Sequence, residues 1–169
     1  MGIVGDANNV QVTYSYVTGS TTGIDSYIGG IFGASESDII ENSFVQGNVQ
    51  NADSYAGGLV AYSAGISISN SFSSGTITAA DHAAGIIAYS EYGLSISNSS
   101  AVGAISATTA VDPDAGGLTS DVDPLPYTES SVYWDTETTD QSTSENNQGT
   151  GYTTFELQTP TSNTGIFAS

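Results

Sequence analysis

Four aspartates fall in two i, i+2 pairs: Asp112 and Asp114 in Val-Asp-Pro-Asp, Asp121 and Asp123 in Asp-Val-Asp-Pro. Carboxylates spaced this way can share a Ca²⁺ ion, which takes about six to eight oxygen ligands. The rest of the composition favours a cation there. The chain holds 18 Asp plus Glu and no Lys or Arg, for a formal net charge of −18. Asp-Pro is also ordinary turn chemistry, and that is the preferred reading of both pairs. Calcium is therefore the one cofactor candidate, and otherwise none is expected.

Other reactive groups are few. His82 is the sole histidine and there is no cysteine, so thiolate metal sites, disulfides and a Cys-His nucleophile are excluded. One histidine makes no metal site. Its alignment with Ser54 of the preceding copy reads as a surface turn. Lyase chemistry that relies on Arg or Lys as base or charge clamp has no residue to use. Paired carboxylates could serve a glycosidase, but these acids lie on turns and near the C-terminus. The expectation is a protein that is not an enzyme. Without bases, phosphate recognition is excluded, so no nucleic-acid partner is expected. An anionic membrane surface is excluded for the same reason, and no apolar run is long enough for membrane insertion.

The elements that carry these residues follow from a period. Gly19, Gly47, Gly75 and Gly103 are evenly spaced, as are Val12, Ile40, Ile68 and Ile96. Tyr16, Phe44 and Phe72 form an aromatic column that Ser100 breaks. Asn42, Asn70 and Asn98 form another, with Tyr14 in the first copy; Ser15, Ser43, Ser71 and Ser99 form a fourth. A fixed period in this range signals stacked repeats. Within one copy Ile66, Ile68, Asn70 and Phe72 alternate with Ser67, Ser69, Ser71 and Ser73, the period of a strand with one buried face. The alternation predicts inward asparagines, their amides bonding along the stack in a dry core. The expected fold is all-β: a β-solenoid (β-helix) of about four 28-residue rungs with an irregular C-terminal cap.

Residues 1–123 are assigned to the array, starting mid-rung, and 124–169 to a cap packed on the last rung, with Tyr133, Trp134 and Phe155 as its packing residues. The third copy drifts by one residue until Tyr92 restores register. The fourth carries an insertion, Thr108 to Asp114. Gly2-Ile3-Val4-Gly5 repeats as Gly30-Ile31-Phe32-Gly33, so those first residues are expected to form an open assembly edge.

Gly57-Gly58-Leu59-Val60, Gly65, Ile68, Asn70-Ser71-Phe72 and Gly75 resemble the GLUG repeat of large bacterial and archaeal surface proteins. Val132-Tyr133-Trp134-Asp135-Thr136-Glu137-Thr138, followed by Gly149-Thr150-Gly151-Tyr152-Thr153-Thr154, is similar to the unit that closes such arrays. The resemblance implies an accessory, adhesin-like role at the cell surface. The functional expectation is an extracellular structural or adhesive element that self-associates head to tail as a homo-oligomer. The alternatives are a monomeric fragment of a large adhesin, its neighbours being further repeats of the same protein, and a calcium- or carbohydrate-binding module. Tyr62 and Tyr89, equivalent by alignment, are the candidates for stacking on cell-surface glycans, although packing is their preferred role.

Overall fold

The computed structural model describes residues 2–24, 26–109, 114–123 and 126–159. They wind into an all-β solenoid of about four coils. The first pass holds β1 (Val4–Asn8), β2 (Gln11–Thr13), β3 (Tyr16–Val17) and β4 (Thr21–Gly23). The second holds β5 (Tyr27–Gly29), β6 (Phe32–Glu41), β7 (Phe44–Val45) and β8 (Val49–Asn51). The third holds β9 (Tyr55–Gly57), β10 (Val60–Ser69), β11 (Phe72–Ser73) and β12 (Ile77–Ala79). The fourth holds β13 (His82–Ala84), β14 (Ile87–Ser90), β15 (Leu94–Ala101) and β16 (Ile105–Ala107). After β17 (Asp114–Gly116), β18 (Thr119–Val122) and β19 (Tyr127–Asp135) come α1 (Thr136–Thr139), β20 (Thr150–Tyr152) and α2 (Thr154–Gln158).

Every strand pairing among the described residues is parallel, and within the array each joins a strand to its equivalent one coil away; β20 pairs with β19 after a shorter excursion. The columns seen in sequence are thus physical stacks. Val12, Ile40, Ile68 and Ile96 pile up in register. Val4, Phe32, Val60 and Ile87 form a second stack. Three buried residues, Leu59, Ile86 and Leu118, form a third, joined by backbone bonds. The one-residue drift sits where the sequence placed it. Tyr62 pairs with Tyr89 and Ile66 with Leu94, so the extra residue falls in Glu91–Gly93, and Tyr92 is pushed out, 58 % exposed.

The coil is narrow because backbone approaches side chain at one corner. A Cβ on Gly30 would meet Val45, on Gly58 Ser73, and on Gly85 Ala101, each inside 3.0 Å. Only glycine fits there, which explains its recurrence.

The period-two reading fails at another corner. Asn42, Asn70 and Asn98 have φ of 50°, 49° and 46°, with Tyr14 at 49° and Ser131 at 55° in the same column. One left-handed residue turns the chain and swaps its faces. Ile66 and Ile68 point inward before the corner; after it Ser71 and Ser73 are buried and Phe72 faces outward. The expected inward Asn ladder is therefore corrected: Asn70 and Asn98 are exposed and Asn42 half-buried. Asparagine is used here because its short polar side chain tolerates the left-handed region. Phe44 and Phe72 form an external ladder rather than core, stacked on each other at 5.0 Å and 4°.

The buried ladder is made by serine. Ser43 Oγ accepts from Ser15 N at 3.1 Å, Ser71 Oγ from Ser43 N at 3.2 Å and Ser99 Oγ from Ser71 N at 3.2 Å. Each hydroxyl donates in turn to the carbonyl two residues before it, Glu41, Ser69 and Ser97. At the corner the N–H groups of Ser15, Ser43 and Ser71 are accepted by a serine hydroxyl of the next coil in place of a backbone carbonyl.

Candidate functional site

The sequence-predicted residues fall into three regions of the stack. The first is a face of rings and carboxylates. Tyr27, Tyr55 and His82 lie in one column, and Tyr62 and Tyr89 in the adjacent one. Centroid separations are 4.9 Å for Tyr27–Tyr62, 5.7 Å for Tyr55–Tyr89 and 4.5 Å for Tyr55–His82. His82 thus occupies the place of Tyr55, not Ser54, and is a half-buried strand residue rather than a surface turn. The two columns continue into Asp114, beside His82, and Asp121, beside Tyr89.

Burial pushes the Asp121 carboxyl up; His82 opposes that rise and Asp123 adds to it. The phenols respond to the same charge. A hydrogen bond to the Glu91 carboxylate is the main cause holding the Tyr62 phenol up. Tyr55 and Tyr89 are raised mainly by burial and then by surrounding acids, among them Asp121. Asp112 lies outside the described residues. Among those described, no group of three or more His, Asp or Glu is placed to hold a metal ion. Tyr55 stacks on His82 and on Tyr89, while Tyr27–Tyr55, Tyr27–Tyr62 and Tyr62–Tyr89 meet at a tilt.

The second region is the broken aromatic column. Tyr16 stacks on Phe44 at 5.4 Å and Phe44 on Phe72. The next register position is Ser100, and the one after it is Tyr133, braced on its far side by Tyr152 at 5.5 Å. A cavity of about 410 Å³ opens at the break, lined by Asn98, Ser100, Val102, Ser131, Tyr133 and Leu157 among others.

The third region is the pair of ends. The cap does not begin irregularly: β19 continues the array in register with β15 over Leu94–Ala101. Trp134 is buried at 5 % exposure and takes the inner place held by Val45, Ser73 and Ala101 in earlier coils. Its Nε1 donates to Gln141 O at 2.9 Å, and Gln141 Nε2 donates to Ile105 O at 3.0 Å. Ser144 Oγ accepts from Leu118 N and Thr119 N at 3.3 and 3.0 Å; Thr119 Oγ1 donates to Gln148 Oε1 at 2.7 Å. Asn146 Nδ2 donates to Val122 O. Side chains thus take over the hydrogen bonds that a further coil would supply. Phe155, expected to pack in the cap, is 74 % exposed instead, because its helix α2 turns that side outward. None of Gln141, Ser144 or Gln148 stands in a repeat column, so spacing could not have found them.

At the opposite end Val4 pairs with Phe32, and β1 to β5 have strand partners on one side only among the described residues. Of the predicted edge, Ile3 is 46 % exposed, while Gly2, Val4 and Gly5 are partly covered. Ile24, Tyr14 and Tyr16 nearby are exposed.

No curated protein and no solved structure matches the chain. Residues 52–78 match the GLUG motif. Those residues form one turn of the stack, β9 through most of β12, and contain the glycine corner, the left-handed Asn70 and the Ser71 rung. The chain carries a GLUG motif at 52–78, and its stacked neighbours repeat that coil on either side.

Proposed function

We propose that this chain is a non-catalytic structural element of an extracellular adhesive surface, which stacks end to end with copies of itself. One observation carries the reading. β3, β7, β11, β15, β19 and β20 form a single column of parallel strands, and its two terminal members each pair on one side only among the described residues. A neighbour's β3 set beside β20 would continue that column without changing its direction. Such a head-to-tail contact does not close on itself and builds a filament. The repeating corners make the coil stiff along its axis, which suits a spacer or fibre subunit.

Negative-stain microscopy over a concentration series, with and without chelator, tests this. Fibres with an axial repeat of about 29 Å, six strand spacings of about 4.8 Å, support the reading. Loss of those fibres on chelation adds a cation as a bridging element. Single particles at all concentrations overturn it in favour of the second reading, a segment of a larger adhesin whose neighbouring repeats occupy the β3 side.

A further inference from the structure

We propose that the gap at Ser100 is a binding slot for one pyranose ring of a neutral glycan. The external ladder Tyr16–Phe44–Phe72 consumes its own ring faces by stacking. On the other face of rings Tyr55 stacks on His82, and Tyr27 meets Tyr55 and Tyr62 at a tilt. At Ser100 the ladder lacks one ring, and Phe72 and Tyr133 flank the vacancy in register. Their strands lie about two spacings apart, roughly 9.6 Å, which leaves room for a guest one ring thick. The cavity of about 410 Å³ lies within the usual range for small-molecule sites.

The polar lining selects the guest. The side chains of Asn98, Ser100 and Ser131 make no hydrogen bond among the described residues, and all three border the cavity. A hydrocarbon ring would bury them without partners, at a cost. A pyranose presents one C–H face to Tyr133, the ring that lines the cavity, and hydroxyls to the amide and serines. No charged residue lines the cavity, and a chain of net charge −18 without Lys or Arg repels uronates and sialic acids. The slot lies on the flank of the stack, so this inference stands apart from end-to-end association.

The test uses the whole chain with cellohexaose, xylohexaose, mannohexaose and chitohexaose as probes, read by saturation-transfer NMR and calorimetry, with benzyl alcohol as an aromatic probe. Ser100→Phe completes the ladder and should abolish binding while keeping the melting temperature. Tyr133→Ala, checked for fold by circular dichroism, removes one stacking face and should weaken binding about tenfold or more. Binding of at least one hexaose near 1 mM or tighter, abolished in Ser100→Phe and weakened about tenfold or more in Tyr133→Ala, supports the slot (about −4 kcal/mol at that affinity). No hexaose binding, binding left unchanged by either substitution, or benzyl alcohol binding in place of every sugar would each overturn it.

Discussion

Gly117 and Trp134 share one space: a Cβ on Gly117 would meet the indole ring inside 3.0 Å. In earlier coils the same glycine corner faces Val45, Ser73 or Ala101. Among the described residues the last coil has no successor to lie against, and the widest side chain in the set closes it. Gly117→Ala should therefore destabilise by about 1–3 kcal/mol through overpacking. Trp134→Ala should cost about 3–5 kcal/mol by opening a cavity and losing the bond to Gln141. Urea denaturation of the two variants checks the order; a Gly117→Ala protein as stable as the parent would refute the shared-space account.

Two buried serines two residues apart should behave oppositely. Ser71 Oγ accepts from Ser43 N and donates to Ser69 O, whereas Ser73 Oγ is buried with no partner among the described residues. Ser71→Ala leaves a buried N–H unpaired and should cost about 1–3 kcal/mol. Ser73→Ala removes an unpaired hydroxyl and should lie within about 0.5 kcal/mol of the parent or stabilise it. Equal losses in paired denaturation curves would mean that the serine ladder has no special role.

At Asn70 the backbone, not the side chain, is decisive. With φ at 49° and an exposed side chain, Asn70→Gly should change stability by less than about 1 kcal/mol, while Asn70→Val should lose about 2 kcal/mol or more. Thermal melts of both variants read this directly. An equal response would point instead to a side-chain role for the asparagine.

The same corner marks how far the sequence could be read. The stacks were legible because a parallel ladder places equivalent residues one above another, so Ile40, Ile68 and Ile96 in a column are neighbours in space. Their facing was legible only up to Asn70. A period-two count assumes an extended backbone throughout, and one left-handed residue inverts it, which exchanged the roles of the asparagine and serine columns. The vacancy at Ser100 was visible as a break in an aromatic column. That it opens a cavity depended on β19 continuing the stack and on Leu157 of α2 lying beside it, and neither follows from a period. The cap bonds of Ser144 and Gln148 join positions that no repeat relates to the coil they cover.

Screening should stabilise this chain rather than weaken it. With 18 acids and no Lys or Arg, nearly every charge pair on the surface is repulsive, and the compact fold concentrates that repulsion. Raising NaCl from low millimolar to about 0.5 M shortens the Debye length several-fold. The melting temperature should climb by about 2–4 °C for each kcal/mol relieved. Scanning calorimetry across a salt series measures it, and a falling melting temperature would contradict the account.

Alkaline unfolding should be governed by phenols. The phenols of Tyr55, Tyr62, Tyr89 and Tyr127 are all held above the usual tyrosine value, by burial and by neighbouring carboxylates such as Glu91 and Glu129. A folded-state rise means that the unfolded chain loses these protons first. Between the ordinary value near 10 and the raised folded values the unfolded state binds fewer protons, so stability falls as pH rises. Below that window the contribution is fully present. With no Lys, Arg or Cys in the chain, the side chains titrating in this range are tyrosines alone, and absorbance at 295 nm follows them directly. Denaturation midpoints should hold up to about pH 9.5 and then drop in step with phenolate formation. Glu91→Gln should return the Tyr62 phenol toward its usual range and flatten the drop. A slope unchanged in that variant would remove Tyr62 and its carboxylate partner as a source of the alkaline loss.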